Sequence, residues 1–277
     1  MPKTRELMEG ITIGADPELF IVNAETGEYV CPDGLIPGTK EEPHAVDGGA
    51  VQQDGFAAEF NIEPCTTYKE FSARIRGVKK QLQEMLPSNM ILVPHATAKF
   101  TEDEWARASD ETKVLGCSPD YNAWTLDVNP APQAEDLVRC AGGHLHVGWT
   151  EGASPSDKEY FKACVDLVRQ LDWCLGGWSV LKDCDTTRRT LYGQAGSMRF
   201  KPYGVEYRTL SNFWLENHIV RQHLWNRVCK AIDLMNGYYY PSSFADYNET
   251  LIKSINQSDT STLLFRDADF TTPIHHL

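Results

Sequence analysis

Phe71, Ile75, Val78, Leu82 and Met85 recur at steps of three and four. That spacing lines one face of a helix, and Thr67 with Glu70 supplies a capping box at its start. Ser156 and Glu159 open a second long helix that carries Phe161, Cys164, Leu167, Val168 and Leu171. Leu215–Asn236 reads as a third, stopped by Gly237. Thr101–Ala108 is a short helix with its own Thr-x-x-Glu start.

Elsewhere the period changes to two. Ile11–Ile13 and Leu19–Val22 read as a strand bent around Asp16-Pro17. Ala50–Gln53 and Phe56–Ile62 flank Asp54-Gly55, a hairpin signal in which both turn positions take positive φ. Met90–Phe100, Arg139–Trp149 and Tyr203–Leu210 read as further strands, and Gly116–Trp124 as a loop. A hairpin with separated helices predicts an α+β fold with a mainly antiparallel sheet. One domain is expected over residues 1–277, with a core of about 11–240 and a polar, weakly patterned appendage over 241–277.

Composition narrows this picture. Apolar residues make up 42% of the 277 and aromatics 10%, enough for a sizeable core. A formal net charge of −13 disfavours a broad nucleic-acid surface, which needs a basic face. Neither a membrane span nor a secretory h-region is legible, so the expected location is the cytoplasm. Eight cysteines, at 31, 65, 117, 140, 164, 174, 184 and 229, form no C-x-x-C pair and read as free thiols in a reducing compartment.

Chemistry enters through the strand faces. Residues i and i+2 of a strand share a face. His144 and His146 in GGHLHVGW therefore point one way, as do Asp16 and Glu18 in GADPELF. The same holds for Glu59, Asn61 and Glu63 in AEFNIEP, and for Glu206 and Arg208 in YGVEYRTL. The opposite faces carry Leu145 and Val147, Leu19, Phe60 and Ile62, and Val205 and Tyr207. Carboxylates packed side by side repel, and bound divalent cations would remove that cost. The stretch from Arg188 to Gly204 adds Arg189, Arg199 and Lys201 among glycines. Arginine forks match phosphate oxygens. Carboxylates for metal and arginines for phosphate together describe a metal–nucleotide site.

Taken singly, each motif also fits a solvated strand edge or a packed histidine. Asp54 is explained by its turn, and Arg188 and Arg189 are adjacent, so one at most faces the site. His44, His95, His275 and His276 carry no partner signal, and no base stands at a set spacing from Cys140 or Cys184. The joint occurrence carries the argument.

The four motifs GADPELF, AEFNIEP, GGHLHVGW and RFKPYGVEYRTLSNFW stand in an order that resembles the glutamine synthetase/glutamate–cysteine ligase superfamily. More narrowly they resemble its phage-type (phiEco32-like) carboxylate–amine ligases, over roughly residues 11 to 215. The resemblance implies a curved, mainly antiparallel sheet with helices on its outer face. It implies metal ligands at Asp16, Glu18, Glu59, Glu63, His144 and Glu206. A nucleotide-phosphate contact is implied at His146, and phosphate-stabilising cations at Arg199 and one of Arg188 or Arg189, with Lys201 beside them. Arg208 is implied to meet phosphate or a substrate carboxylate. The implied reaction is amide-bond formation through an acyl phosphate, with ATP and Mg²⁺ or Mn²⁺, between small-molecule or peptide carboxylates and amines. Asp16 stands where many relatives carry Glu. Two alternatives remain: a guanidino-kinase type of phosphoryl transfer, and a non-catalytic nucleotide- or peptide-binding module on the same scaffold.

Overall fold

The computed structural model describes residues 10–114, 120–130, 137–237 and 247–261. Its N-terminal half holds β1 (Thr12–Asn23), β2 (Tyr29–Val30), β3 (His44–Val46), β4 (Gly49–Asp54), β5 (Ala57–Ile62) and α1 (Tyr68–Met85). These are followed by β6 (Met90–Val93), β7 (Thr97–Lys99), α2 (Glu102–Arg107), α3 (Asp110–Lys113), β8 (Tyr121–Asn122) and β9 (Asp127–Val128). The C-terminal half holds β10 (Val138–Cys140), β11 (Gly143–Gly148), α4 (Lys158–Leu171), a π-helical turn (Asp172–Gly176), α5 (Gly177–Ser179) and α6 (Thr187–Leu191). Last come β12 (Ser197–Lys201), β13 (Gly204–Tyr207), α7 (His218–Asn236) and α8 (Asn248–Gln257). The fold is α+β, as the periodicity predicts.

Among the described residues, eleven strands form one antiparallel sheet, whose main path is β3-β4-β5-β1-β11-β13-β12-β8-β9, with β2 and β6 added along β1. β1 is its spine. It is one continuous strand through Asp16-Pro17, where the sequence suggested a bend. Ile13, Ala15, Leu19 and Ile21 alternate into the core straight through Pro17. Proline has no N–H to give the ladder, and here it marks a change of partner. Thr12–Pro17 pairs with β11, whereas Phe20–Asn23 pairs with β6.

One face of the sheet meets the long helices. Val51, Phe60, Leu145, Val147, Met198, Val205 and Tyr207 form one core with Phe71, Ile75, Val78 and Leu82 of α1, Leu167, Val168 and Leu171 of α4, and Leu224 and Val228 of α7. Thr67 Oγ1 accepts from the Glu70 N–H at 3.3 Å, while the Glu70 carboxylate reaches back to Thr66 N at 3.2 Å, one residue earlier than a standard capping box. Such a cap contributes about 1 kcal/mol, against about 1.5–3 kcal/mol for each fully buried aliphatic or aromatic chain. The apolar face, not the cap, holds α1 in place.

Other boundaries differ for identifiable reasons. The 90–100 segment breaks at Pro94 into β6 and β7, and β7 leaves the main sheet to pair with β10. The 139–149 segment breaks likewise at Ala141-Gly142, between β10 and β11. In the β4–β5 hairpin Asp54 pairs with Ala57, so the loop is Gly55-Phe56, and of these two Gly55 takes positive φ (+53°). The cap of α4 is Asp157, which accepts from Glu159 N and Tyr160 N, rather than Ser156. In the weakly patterned tail, Leu251 and Ile255 of α8 pack on Trp173, Val180 and Ala195. Residues 116–119 of the expected loop, Cys117, His275 and His276 lie outside the described residues, where the other cysteines form no disulfide. Among the described residues no helix is long and apolar enough to cross a membrane.

Candidate active site

Strand register assembles the ionisable face. Directly opposed residues of an antiparallel pair point to the same side. Gln52 opposes Glu59, and Glu59 opposes Glu18. Asp16 opposes His144, His146 opposes Glu206, and Glu206 opposes Arg199. The groups that the sequence placed on four separate strand faces thus form one row across β4, β5, β1, β11, β13 and β12, on the side away from α1, α4 and α7.

Three of them converge. One ligand atom from each of Asp16, His146 and Glu206 lies within 4.8 Å of the other two. His146 Nε2 is 3.1 Å from Asp16 Oδ1. His144 Nδ1 stands 3.4 Å from Asp16 Oδ1 and 3.7 Å from Glu206 Oε1, and accepts from Arg208 Nη1 at 3.2 Å. The edge of its ring around Nε2 lies flat over Gly142, where a Cβ would come within 2.1 Å of that nitrogen. Glycine at 142 therefore makes room for the ring.

Cations surround the cluster. Glu206 is paired with Arg208, with Lys201 at 2.7 Å from Oε2, and with Arg199 at 4.0 Å. Asp120, which the sequence reading missed, sits under both arginines, 2.8 Å from Arg208 Nε and 3.4 Å from Arg199 Nε. Tyr203, also missed, places its hydroxyl 2.5 Å from His146 Nδ1. Asp120 precedes a two-residue strand and had no periodic signal, and Tyr203, read as the first residue of a strand over 203–210, lies in the turn before β13.

Electrostatics follow from burial and these partners. Burial pushes the Asp16 carboxyl up, but the positive charge of His146 and the close approach of both histidines outweigh it and hold Asp16 well below the usual carboxylate range. Burial and Asp16 likewise push Glu206 up, and Arg208 with the two histidines pulls it below its ordinary value. His146 loses some basicity to burial and gains more from Asp16, so it ends raised. Among the described residues Glu59 has no such cation. Burial first, then Asp16 and Glu18, drive it well above the ordinary value, with Gln52 Nε2 at 2.8 Å offsetting part of the rise.

Whether the cluster suits a divalent cation can be judged from its atoms. Asp16 Oδ1, His146 Nε2 and Glu206 Oε2 are buried and make no hydrogen bond of acceptable geometry among the described residues, only ionic approaches. Buried polar atoms are almost always hydrogen-bonded. Two carboxylates and an imidazole converging from three strands, each with an unbonded buried atom, are a donor set that Mg²⁺ or Mn²⁺ fits once the imidazole is neutral.

The remaining sequence candidates divide. Glu18 Oε2 accepts from the Gly142 N–H at 2.6 Å and lines an open cleft of 570 Å³ with Phe56, Arg139, Arg188, His144 and Arg208. Arg188 faces this cleft while donating to the carbonyls of Thr209 and Arg208. Arg189 turns away, to Ser179 Oγ at 3.1 Å and Asp183 at 3.7 Å, so of the two arginines Arg188 is the one at the cleft. Glu63 is not brought to the cluster. It lies past the end of β5, its side chain is 60% exposed, and it pairs with Arg74 at 3.1 Å.

Residues 138–231 match the family described as phage phiEco32-like COOH.NH2 ligase-type 2, so the resemblance expected from the motifs holds for that segment. It contains His144, His146, Arg199, Lys201, Glu206 and Arg208, and ends before the end of α7. No curated protein matches the chain. Among solved structures, a bifunctional glutathione synthetase from Pasteurella multocida superposes with a TM-score of 0.43 at 10% identity, covering 92% of this chain and 45% of that one. The chain thus spans less than half the length of that protein.

Proposed function

We propose that this chain is an ATP-dependent carboxylate–amine ligase that joins a small-molecule or peptide carboxylate to an amine. The observation that carries the reading is the convergence of Asp16, His146 and Glu206 amid Arg199, Lys201 and Arg208 on one sheet face. The family match over residues 138–231, which include His146, Arg199, Lys201, Glu206 and Arg208 but not Asp16, supports it. So does the antiparallel sheet with long helices on its other face, which we read as the counterpart of a glutamine synthetase-type catalytic sheet.

A carboxylate is a poor electrophile, so a leaving group has to be installed. In the proposed reaction the substrate carboxylate attacks the γ-phosphorus of ATP. The bond to ADP breaks and an acyl phosphate forms. The amine nitrogen then attacks the acyl carbon, inorganic phosphate departs, and the nitrogen loses a proton. Little covalent chemistry falls to the protein in such transfers, and alignment with charge stabilisation does most of the work.

Asp16, His146 and Glu206 would hold the divalent cation, which supplies charge neutralisation at the phosphates. Arg199 and Arg208 face the transferred oxygens, oriented by their shared partner Asp120. Glu18 and Glu59 extend the acidic row toward the cleft, where Arg188 offers a buried cation to a substrate anion. Tyr203 holds His146 by Nδ1 and so keeps Nε2 directed at Asp16.

The test combines ATP, Mg²⁺ and pooled amino acids and amines, reading ADP release and product mass. ADP should appear together with a product equal in mass to acid plus amine less water. Arg199→Ala and Glu206→Gln should each cut ADP release by roughly 100-fold or more, with unchanged circular dichroism. A product that gains phosphate, or full turnover in both variants, would overturn the proposal.

A further inference from the structure

The turn Lys201-Pro202-Tyr203-Gly204 joins β12 to β13 and sets two side chains on two of the three converging groups. Lys201 Nζ is 2.7 Å from Glu206 Oε2, and Tyr203 OH is 2.5 Å from His146 Nδ1. The main chain of this turn is fixed. Tyr160 OH donates to the carbonyls of Lys201 and Gly204, and Trp149 N–H donates to the Tyr203 carbonyl at 2.9 Å. Gly204 sits at φ +152°, and a Cβ there would lie 2.0 Å from Val147 O. The Lys201 side chain is different in kind: it is 30% exposed, on a flexible four-carbon stem, against a Glu206 side chain that is 1% exposed.

The oxygens of Glu206 face different cations, with Arg199 farther off on the Oε1 side at 4.0 Å. Oε1 is taken by Arg208, whose side chain is 5% exposed and tied to Asp120 as well. Oε2 meets Lys201 as a charge, without hydrogen-bond geometry. This second oxygen makes no hydrogen bond, and a cation that takes it together with Asp16 and His146 would meet the Lys201 ammonium there. Two positive charges brought to the same oxygen repel each other. Withdrawing an ammonium from a buried carboxylate is costly unless another anion receives it.

Resting on the metal–nucleotide reading above, we propose that Lys201 is a built-in competitor for the divalent cation, displaced from Glu206 when a phosphate group arrives to receive its ammonium. Cation and nucleotide phosphate then bind with positive coupling, each raising the affinity of the other by the same factor. The cation binds weakly alone and tightly as its nucleotide complex. Lys201 is in this account a positioning residue, which sets the order of loading.

The experiment is a Mn²⁺ titration, read by electron paramagnetic resonance, of the full chain and of Lys201→Met, Lys201→Gln and Lys201→Arg. Each is titrated with Mn²⁺ alone and with a non-hydrolysable ATP analogue, after circular dichroism has established folding. The parent chain should bind Mn²⁺ alone weakly and at least about tenfold tighter with the analogue. Lys201→Met and Lys201→Gln should bind Mn²⁺ alone about tenfold tighter than the parent, with most of the coupling lost. Lys201→Arg, which keeps the charge, should behave as the parent. If the parent binds Mn²⁺ and neither neutral variant binds it more tightly, this inference fails while the ligase reading stands. If no form binds Mn²⁺ even with the analogue, both fail.

Discussion

Asp172 carries a fully buried carboxylate on the helical side of the sheet, behind the histidines. It accepts from Trp124 Nε1 at 2.6 Å, Tyr207 OH at 2.7 Å and Thr209 Oγ1 at 3.3 Å. Tyr207 and Thr209 flank Arg208, so this one group ties the back of the active face to a helix. Burial outweighs the donors and pushes its pKa up to about 6. A raised carboxyl contributes stability that is complete below the unfolded value near 3.8 and is lost as pH rises through 6. Asp172→Asn should therefore gain on the parent by about 2 kcal/mol between pH 4.5 and 7.5, measured as denaturant midpoints at each pH. A pH-independent difference would contradict the assignment. At this scale the sequence was most informative about residues in strands. His144, His146 and Glu206 were legible because a period of two fixes their face. Asp120 became a partner of Arg199 and Arg208 only through folding, and no spacing announces it.

Among elements, α1 and the β12–β13 hairpin rest on different physics. The apolar stripe of α1 carries its stability, so Phe71→Ala, at a fully buried position, should cost about 3–5 kcal/mol. Thr67→Ala at the cap should cost only about 1 kcal/mol. Equal losses in urea denaturation would contradict that ranking. The hairpin depends on one backbone position. Gly204→Ala should displace the turn from Val147 and take Lys201 and Tyr203 off the cluster. It should weaken Mn²⁺ binding in the presence of nucleotide, whereas an unchanged affinity would show that the turn does not set the site. The same elements explain where the periodicity fell short. It reads a polar–apolar alternation but not the partner across the ladder. The alternation therefore runs unbroken through Pro17, where β1 exchanges β11 for β6, and the strand expected over 139–149 hides a passage from the small sheet to the large one.

For the whole molecule, acidic groups gathered on one face must be neutralised from within or from without. Arg199, Lys201 and Arg208 supply the internal part, and Glu59, pushed up by burial, keeps its proton more readily than an ordinary carboxylate. A cation that binds only the folded chain raises its stability with concentration, so Mg²⁺ or Mn²⁺ with nucleotide should raise the melting temperature. That rise should vanish in Asp16→Asn; a rise that survives would place the ion elsewhere. The central claim is that Asp16, His146 and Glu206 form one cation site. Anomalous diffraction from crystals grown with Mn²⁺ and a non-hydrolysable ATP analogue tests it most directly. The account predicts a peak bonded to all three side chains and to a phosphate oxygen. A fully occupied peak that touches none of the three, or a bound nucleotide with no ion between it and Glu206, would contradict it.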